Sequence, residues 1–145
     1  MLTSVDRLLF VRRVPIFKEL RDFIVRLTSV MNELSFPANY TIFRQGEEGR
    51  SLYIVVSGKV KVHIGNKQLA EVEQGKYFGE MAVFDTQPRS ASATTLEPCE
   101  FLELTQEQLY DAIEETPEIA VNIIRELSRL IRKLNDDMNV TSLRS

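Results

Sequence analysis

Between Tyr77 and Ala91 the chain reads Tyr-Phe-Gly-Glu-Met-Ala-Val-Phe-Asp-Thr-Gln-Pro-Arg-Ser-Ala, and these residue types suit the capture of a small anion. Gly79 permits a positive φ and lets a ligand approach the backbone closely. Glu80 to Phe84 is long enough for one helical turn. The first N–H groups of such a turn, near Met81 and Ala82, lack partners within it and favour an anion. Arg89 follows Glu80 by nine residues, through a loop that Pro88 stiffens. A guanidinium fork fits a phosphate with two parallel hydrogen bonds. A carboxylate is out of place beside a phosphate, so Glu80 needs its own partner, and a ribose hydroxyl can donate to it. One acceptor and one cation are what a 3′,5′-cyclic nucleotide requires, with its single free ribose hydroxyl and singly charged phosphate. The same two residues also suit a plain structural ion pair, and spacing alone leaves these readings equal.

The elements around this stretch must hold it in place. The first third has helical periodicity. Thr3 or Ser4 can cap a helix through Val11, Pro15 ends it, and Phe23, Ile24, Leu27, Val30, Met31 and Leu34 fall on one apolar helical face. Glycines and prolines then punctuate the chain. Ser51–Ser57 is a rich apolar run, and Gly58 breaks it. Val60, Val62 and Ile64 alternate with Lys59, Lys61 and His63, the pattern of a half-buried strand, and Gly65-Asn66 supplies a tight hairpin turn. Leu69 and Val72 belong to the return strand. Further short strands are expected over Ser90–Leu96 and Glu100–Leu104, as in an all-β sandwich or roll. Helix returns at the end. Thr105 and Gln108 form a capping box, and Thr116 with Pro117 opens a second helix running to about Met138. On that helix Ile123, Leu127, Leu130 and Leu134 make a heptad-like seam.

Bulk properties narrow the classes. A chain of 145 residues fits one domain, and 43% hydrophobic content can supply one core. The formal charge is −3 with no strongly basic half, so charge gives no reason to expect a nucleic-acid partner. A single cysteine, Cys99, excludes an intrachain disulfide and fits a reducing cytoplasmic setting. It reads as a packed strand residue rather than a reactive thiol. No apolar run is long enough to span a bilayer. With one His and one Cys, neither a metal cluster nor a nucleophile–base pair is expected, so an enzyme such as a phosphodiesterase is disfavoured. His63 reads as a solvated strand residue.

The Tyr77–Ala91 stretch resembles the phosphate-binding cassette of the cyclic-nucleotide-binding domain family, matching its Phe-Gly-Glu-Met-Ala start and Pro-Arg-Ser-Ala end with intact spacing. Gly46, Gly49, Gly58 and Gly75 stand where that family turns, and the likeness runs from about Val14 to Leu134. It implies a mainly β domain with flanking α: an antiparallel β-roll (jelly roll) with N-terminal helices over 1–35, the roll over 36–104 carrying a short phosphate-binding helix, and C-terminal helices over 105–139. The resemblance also implies roles. Glu80 and the Gly79 backbone take the ribose 2′-hydroxyl. Arg89 takes the cyclic phosphate, helped by the Ala82 amide and Ser90. Val62 and Leu69 line the purine pocket, although both also suit plain core positions. The ligand is then cAMP or cGMP, with cAMP favoured because Ser90 is similar to the cAMP-responsive branch.

Two departures from that branch stand out. Leu134 and Asn135 occupy the place of its adenine-contacting Thr-Ser pair, so Leu134 is expected to cap the base by apolar contact and Asn135 to hydrogen-bond it. Only eleven residues follow Leu134, too few for a DNA-reading domain. The expected protein is therefore a regulatory sensor that transmits occupancy through its C-terminal helix. It would pair as a homodimer along that helix, or serve as the cytoplasmic sensor of a larger, perhaps membrane, protein. The alternative is a degenerate member of the fold that acts as a protein-interaction or dimerisation module.

Overall fold

The computed structural model describes residues 2–17, 24–85 and 87–142. The chain opens with helix α1 (Ser4–Val11), a 3-10 turn at Pro15–Phe17 and α2 (Ile24–Val30). Thr3 caps α1: its hydroxyl accepts from the Asp6 N–H, and the Asp6 carboxylate accepts from the Thr3 N–H. Eight strands follow: β1 (Asn32–Phe36), β2 (Thr41–Phe43), β3 (Ser51–Ser57), β4 (Lys59–Ile64), β5 (Lys67–Glu73), β6 (Tyr77–Phe78), β7 (Ser92–Thr95) and β8 (Cys99–Thr105). A 3-10 turn, Glu80–Val83, lies between β6 and β7, and α3 (Gln106–Glu115) and α4 (Glu118–Ser142) close the chain.

The strands form two four-stranded sheets, ordered β1-β8-β3-β6 and β2-β7-β4-β5, with antiparallel pairing throughout. This is the expected roll with helices at both ends. β3 explains how its layers are joined. Leu52, Ile54 and Val56 face one buried cluster with Val11, Phe17, Leu27, Leu109, Ile119 and Ile123, which packs the helices onto the sheet. Tyr53 and Val55 face the other, with Val60, Val72, Phe78, Ala93 and Phe101, between the sheets. A strand buried on both faces needs a continuous apolar run rather than alternation.

The structure moves several boundaries. Leu34, expected on a helical face, lies on β1 opposite Phe101, so the roll begins at Asn32 rather than at 36. Of that expected face, Leu27 and Met31 are buried while Val30 is exposed; Phe23 lies outside the described residues. The strand expected over Ser90–Leu96 is shorter, at Ser92–Thr95. The Thr105 capping box is present, with both reciprocal bonds at 2.9 and 3.1 Å. α4 starts one residue after Pro117 and continues past Met138 to Ser142. Along it, the expected seam divides. Ile123 is buried and Leu127 packs on the core, but Leu134 is 59% exposed, beside the exposed Ile124, Ile131 and Met138. His63 is half-buried rather than solvated, with its ring nitrogens 2.8 Å from the Thr94 hydroxyl and the Gly65 carbonyl.

Candidate functional site

β6 ends at Phe78, and the chain then turns through Gly79 at φ +78 into the Glu80–Val83 turn. A loop returns along the Gly46–Glu48 turn. The Arg89 N–H donates to the Glu47 carbonyl (2.7 Å), the Gly46 N–H donates to the Arg89 carbonyl (2.9 Å), and Pro88 bridges Glu48. These bonds fix the backbone from which Arg89 projects. A cavity of about 370 Å³ opens here, lined by Gly79, Glu80, Ala82, Asp85, Gln87, Pro88, Arg89 and Ser90.

Arg89 is held from several sides. Its Nη2 donates to the Ser51 carbonyl at 2.9 Å, and its Cζ lies 4.0 Å from the centroid of the Phe43 ring. A Cβ at Gly49 would come within 2.7 Å of Nε, and one at Gly79 within 2.7 Å of Nη1 and 2.9 Å of the Ser51 carbonyl. Both glycines are therefore required by the close approach of the guanidinium, and Gly79 by its backbone angle as well. Burial pushes the Arg89 pKa below its ordinary value, and Tyr53, Glu103 and Glu47 pull it back; an arginine keeps its charge in either case. The Arg89 Nε is buried and has no hydrogen-bond partner. A buried unsatisfied donor on a charged group is costly, and an anion in the adjoining cavity is the kind of group that satisfies it.

Glu80 is half-buried on the same cavity, and among the described residues no ion pair joins it to Arg89. The structural ion pair left open by spacing is thus not formed. The Ala82 N–H donates to the Gly79 carbonyl at 3.1 Å within the 3-10 turn. Ser90 is exposed at the rim. Met81 contributes backbone to the turn, and its side chain lies outside the described set.

The other four expected residues lie off this lining. Val62 is half-buried against the inter-sheet core. Leu69 is the extra residue of a β-bulge: Val62 pairs with Ala70, but His63 pairs with Gln68. The bulge leaves Leu69 49% exposed. Leu134 and Asn135 are exposed on the outer half of α4. Sequence reasoning missed Phe43 and Ser51, which touch Arg89 from distant strands, and treated Gly49 only as a turn residue. No local signal marks the first two. A glycine two residues before the Ser51 strand was the one hint of a close approach.

Known proteins resemble this chain in sequence and in fold. The family described as cyclic nucleotide-binding domain matches residues 33–116. A "CRP-like cAMP-activated global transcriptional regulator" of Mycobacterium tuberculosis is 34% identical over 120 residues, covering 79% of this chain and 54% of that protein. A "Cyclic AMP receptor protein" of Thermus thermophilus is 35% identical over 134 residues, covering 88% and 62% respectively. The chain therefore spans between about half and two thirds of the length of these relatives. Among solved structures, the N-terminal domain of a transcriptional regulator from Streptomyces coelicolor superposes with a TM-score of 0.81 at 34% identity, covering 91% of this chain and 94% of that one.

Proposed function

Since the chain belongs to the cyclic-nucleotide-binding domain family, we propose that it is a sensor for a 3′,5′-cyclic nucleotide, with cAMP preferred over cGMP. The observation that carries this reading is the half-buried Arg89 guanidinium on the cavity wall, fixed by Ser51 and Phe43, with its Nε lacking a hydrogen-bond partner. In the proposed complex the cyclic phosphate takes the free Arg89 donors and the Ser90 hydroxyl, which has room to turn because it is exposed at the rim. Glu80, unpaired with Arg89, accepts from the ribose 2′-hydroxyl, and the Gly79 backbone closes on the sugar. The Ala82 amide assists only by sharing its bond to Gly79. The preference for cAMP rests on relatives whose names specify cAMP.

The domain performs no reaction in this reading; it reports occupancy. Val62 and Leu69 on the β4–β5 hairpin form one wall for the purine, and Leu134 with Asn135 closes over it when α4 swings in. Closure follows only if the ligand binds the closed arrangement more tightly. The exposed stripe of Ile124, Ile131 and Met138 supports a homodimer along α4, with Leu134 left to the purine. The effector is a further domain or a partner protein in the cytoplasm, without direct contact between this domain and nucleic acid.

Calorimetric titration with cAMP, cGMP and linear AMP tests the reading. Saturable micromolar or tighter binding of cAMP is expected, with cGMP weaker. AMP should bind worse still, because it adds a hydroxyl and a second negative charge. Absence of binding by both cyclic nucleotides would leave the fold as a protein-interaction module, and a clear cGMP preference would reverse the ligand assignment.

A further inference from the structure

A second cavity, of about 630 Å³, opens between the turn after α1, the β5–β6 turn and α4. Among the described residues, Arg12, Arg13, Lys76, Arg129 and Lys133 line it, against one carboxylate, Glu126. The chain as a whole carries −3, so this wall inverts the charge of the molecule around it. Glu126 offsets one of these cations: it is 4% exposed, and its Oε2 lies 3.0 Å from the Arg129 Nη2, which leaves Arg12, Arg13, Lys76 and Lys133 as the uncompensated cations of the described lining.

The cations are there by construction. Gly75 takes φ +81, and a Cβ on it would strike the Arg13 guanidinium, which lies across the turn. Phe10 supports the same side chain, its ring centroid 6.0 Å from the Arg13 Cζ. Arg12, Lys76 and Lys133 are exposed and have no ion pair among the described residues. Like charges held around one concavity repel, and they focus the field on whatever enters it.

We propose that this cavity is a second anion site, built for a small polyphosphate carrying three or more negative charges. Guanidinium forks and lysine point charges both suit phosphate oxygens. The volume falls within the roughly 300–1,000 Å³ of small-ligand sites, and the cations come from three elements around one space rather than along a strip that an extended peptide would follow. Pro15, Tyr77 and Leu130 supply apolar wall between them. The two cavities share no lining residue among those described, and Tyr77 is the nearest link between them in sequence. Tyr77 lies two residues before Gly79 on β6, and its hydroxyl is pushed above its ordinary pKa by burial and by the charge of Glu80.

The test is calorimetric titration of the protein with inorganic tripolyphosphate at low and raised salt. One saturable site per chain is expected, weakening with salt. The double variant Lys76→Gln/Lys133→Gln should weaken it by about tenfold or more, while Lys67→Gln on the β4–β5 hairpin leaves it unchanged. Both substituted lysines are exposed, and circular dichroism checks that the variant keeps its fold. Saturating cAMP should not compete with tripolyphosphate. Competitive displacement by cAMP would assign the anion to the Arg89 cavity and overturn the proposal. So would the absence of saturable binding, an unaffected double variant, or a hexaglutamate peptide that binds more tightly than tripolyphosphate.

Discussion

Arg89 and Leu134 belong to the same proposed function and are held in opposite ways. Around Arg89 a carbonyl, an aromatic ring and two glycines meet the guanidinium at close range. Along α4 the hold weakens with distance. Ile119 and Ile123 are buried in the core, Leu130 is at the surface, and Leu134 is 59% exposed. The difference teaches a division of labour. Recognition of charge benefits from groups fixed before the ligand arrives, because no ordering cost then falls on binding. A reporting element, the role proposed for α4, must instead have two arrangements close in free energy, and the rising exposure from Ile123 to Leu134 suits that need.

The sharpest way to break the comparison is Arg89→Ala. Removing a buried charge partner of the phosphate should cost about 2–5 kcal/mol of cAMP affinity by calorimetry. Unchanged affinity would end the assignment of the pocket. Gly79→Ala comes next. With φ +78 and two contacts under 3 Å, the added methyl should cost about 1–3 kcal/mol in stability, read as a lower melting temperature together with weaker cAMP binding. A variant that melts and binds as the parent would mean that the Arg89 cage is looser than its geometry.

Leu134→Ala probes the other region. It should weaken cAMP binding by about 1–3 kcal/mol through lost apolar contact, with the melting temperature held because the side chain is exposed. Hydrogen exchange over 125–138 should slow when cAMP is added; equal exchange with and without nucleotide would remove α4 as the reporter. The smallest effect concerns the packing behind Arg89. Burial, aided by Glu103, pushes the Tyr53 pKa up to about 12 from its ordinary 10.0. Between these values the unfolded chain loses the tyrosine proton while the folded one keeps it, so stability should be full below pH 10 and fall as pH rises toward 12. Tyr53→Phe should flatten that part of the melting-temperature profile, and an identical slope in both proteins would contradict the burial of the hydroxyl.

Much of this molecule was determined by short-range pattern. The Thr105–Gln108 capping box, the Gly65-Asn66 turn, the continuous apolar run of β3 and the Gly79–Arg89 spacing each reside within about ten residues, where backbone sterics and local hydrogen bonds set the outcome. At β1, Leu34 continues the helical period of Leu27, Val30 and Met31 but also alternates with Phe36 at the strand period, and only pairing with β8 decides between them. The same holds for the β4–β5 bulge that turns Leu69 outward, for the His63 bond to Thr94, and for the five cations gathered from three elements. What grips Arg89 is the plainest case. Phe43 and Ser51 are ordinary strand residues in sequence, and they become its cage only when two sheets fold against each other. Contacts between residues far apart along the chain leave no periodic trace, because their energy depends on which surfaces meet and at what register, and the tertiary structure alone sets that.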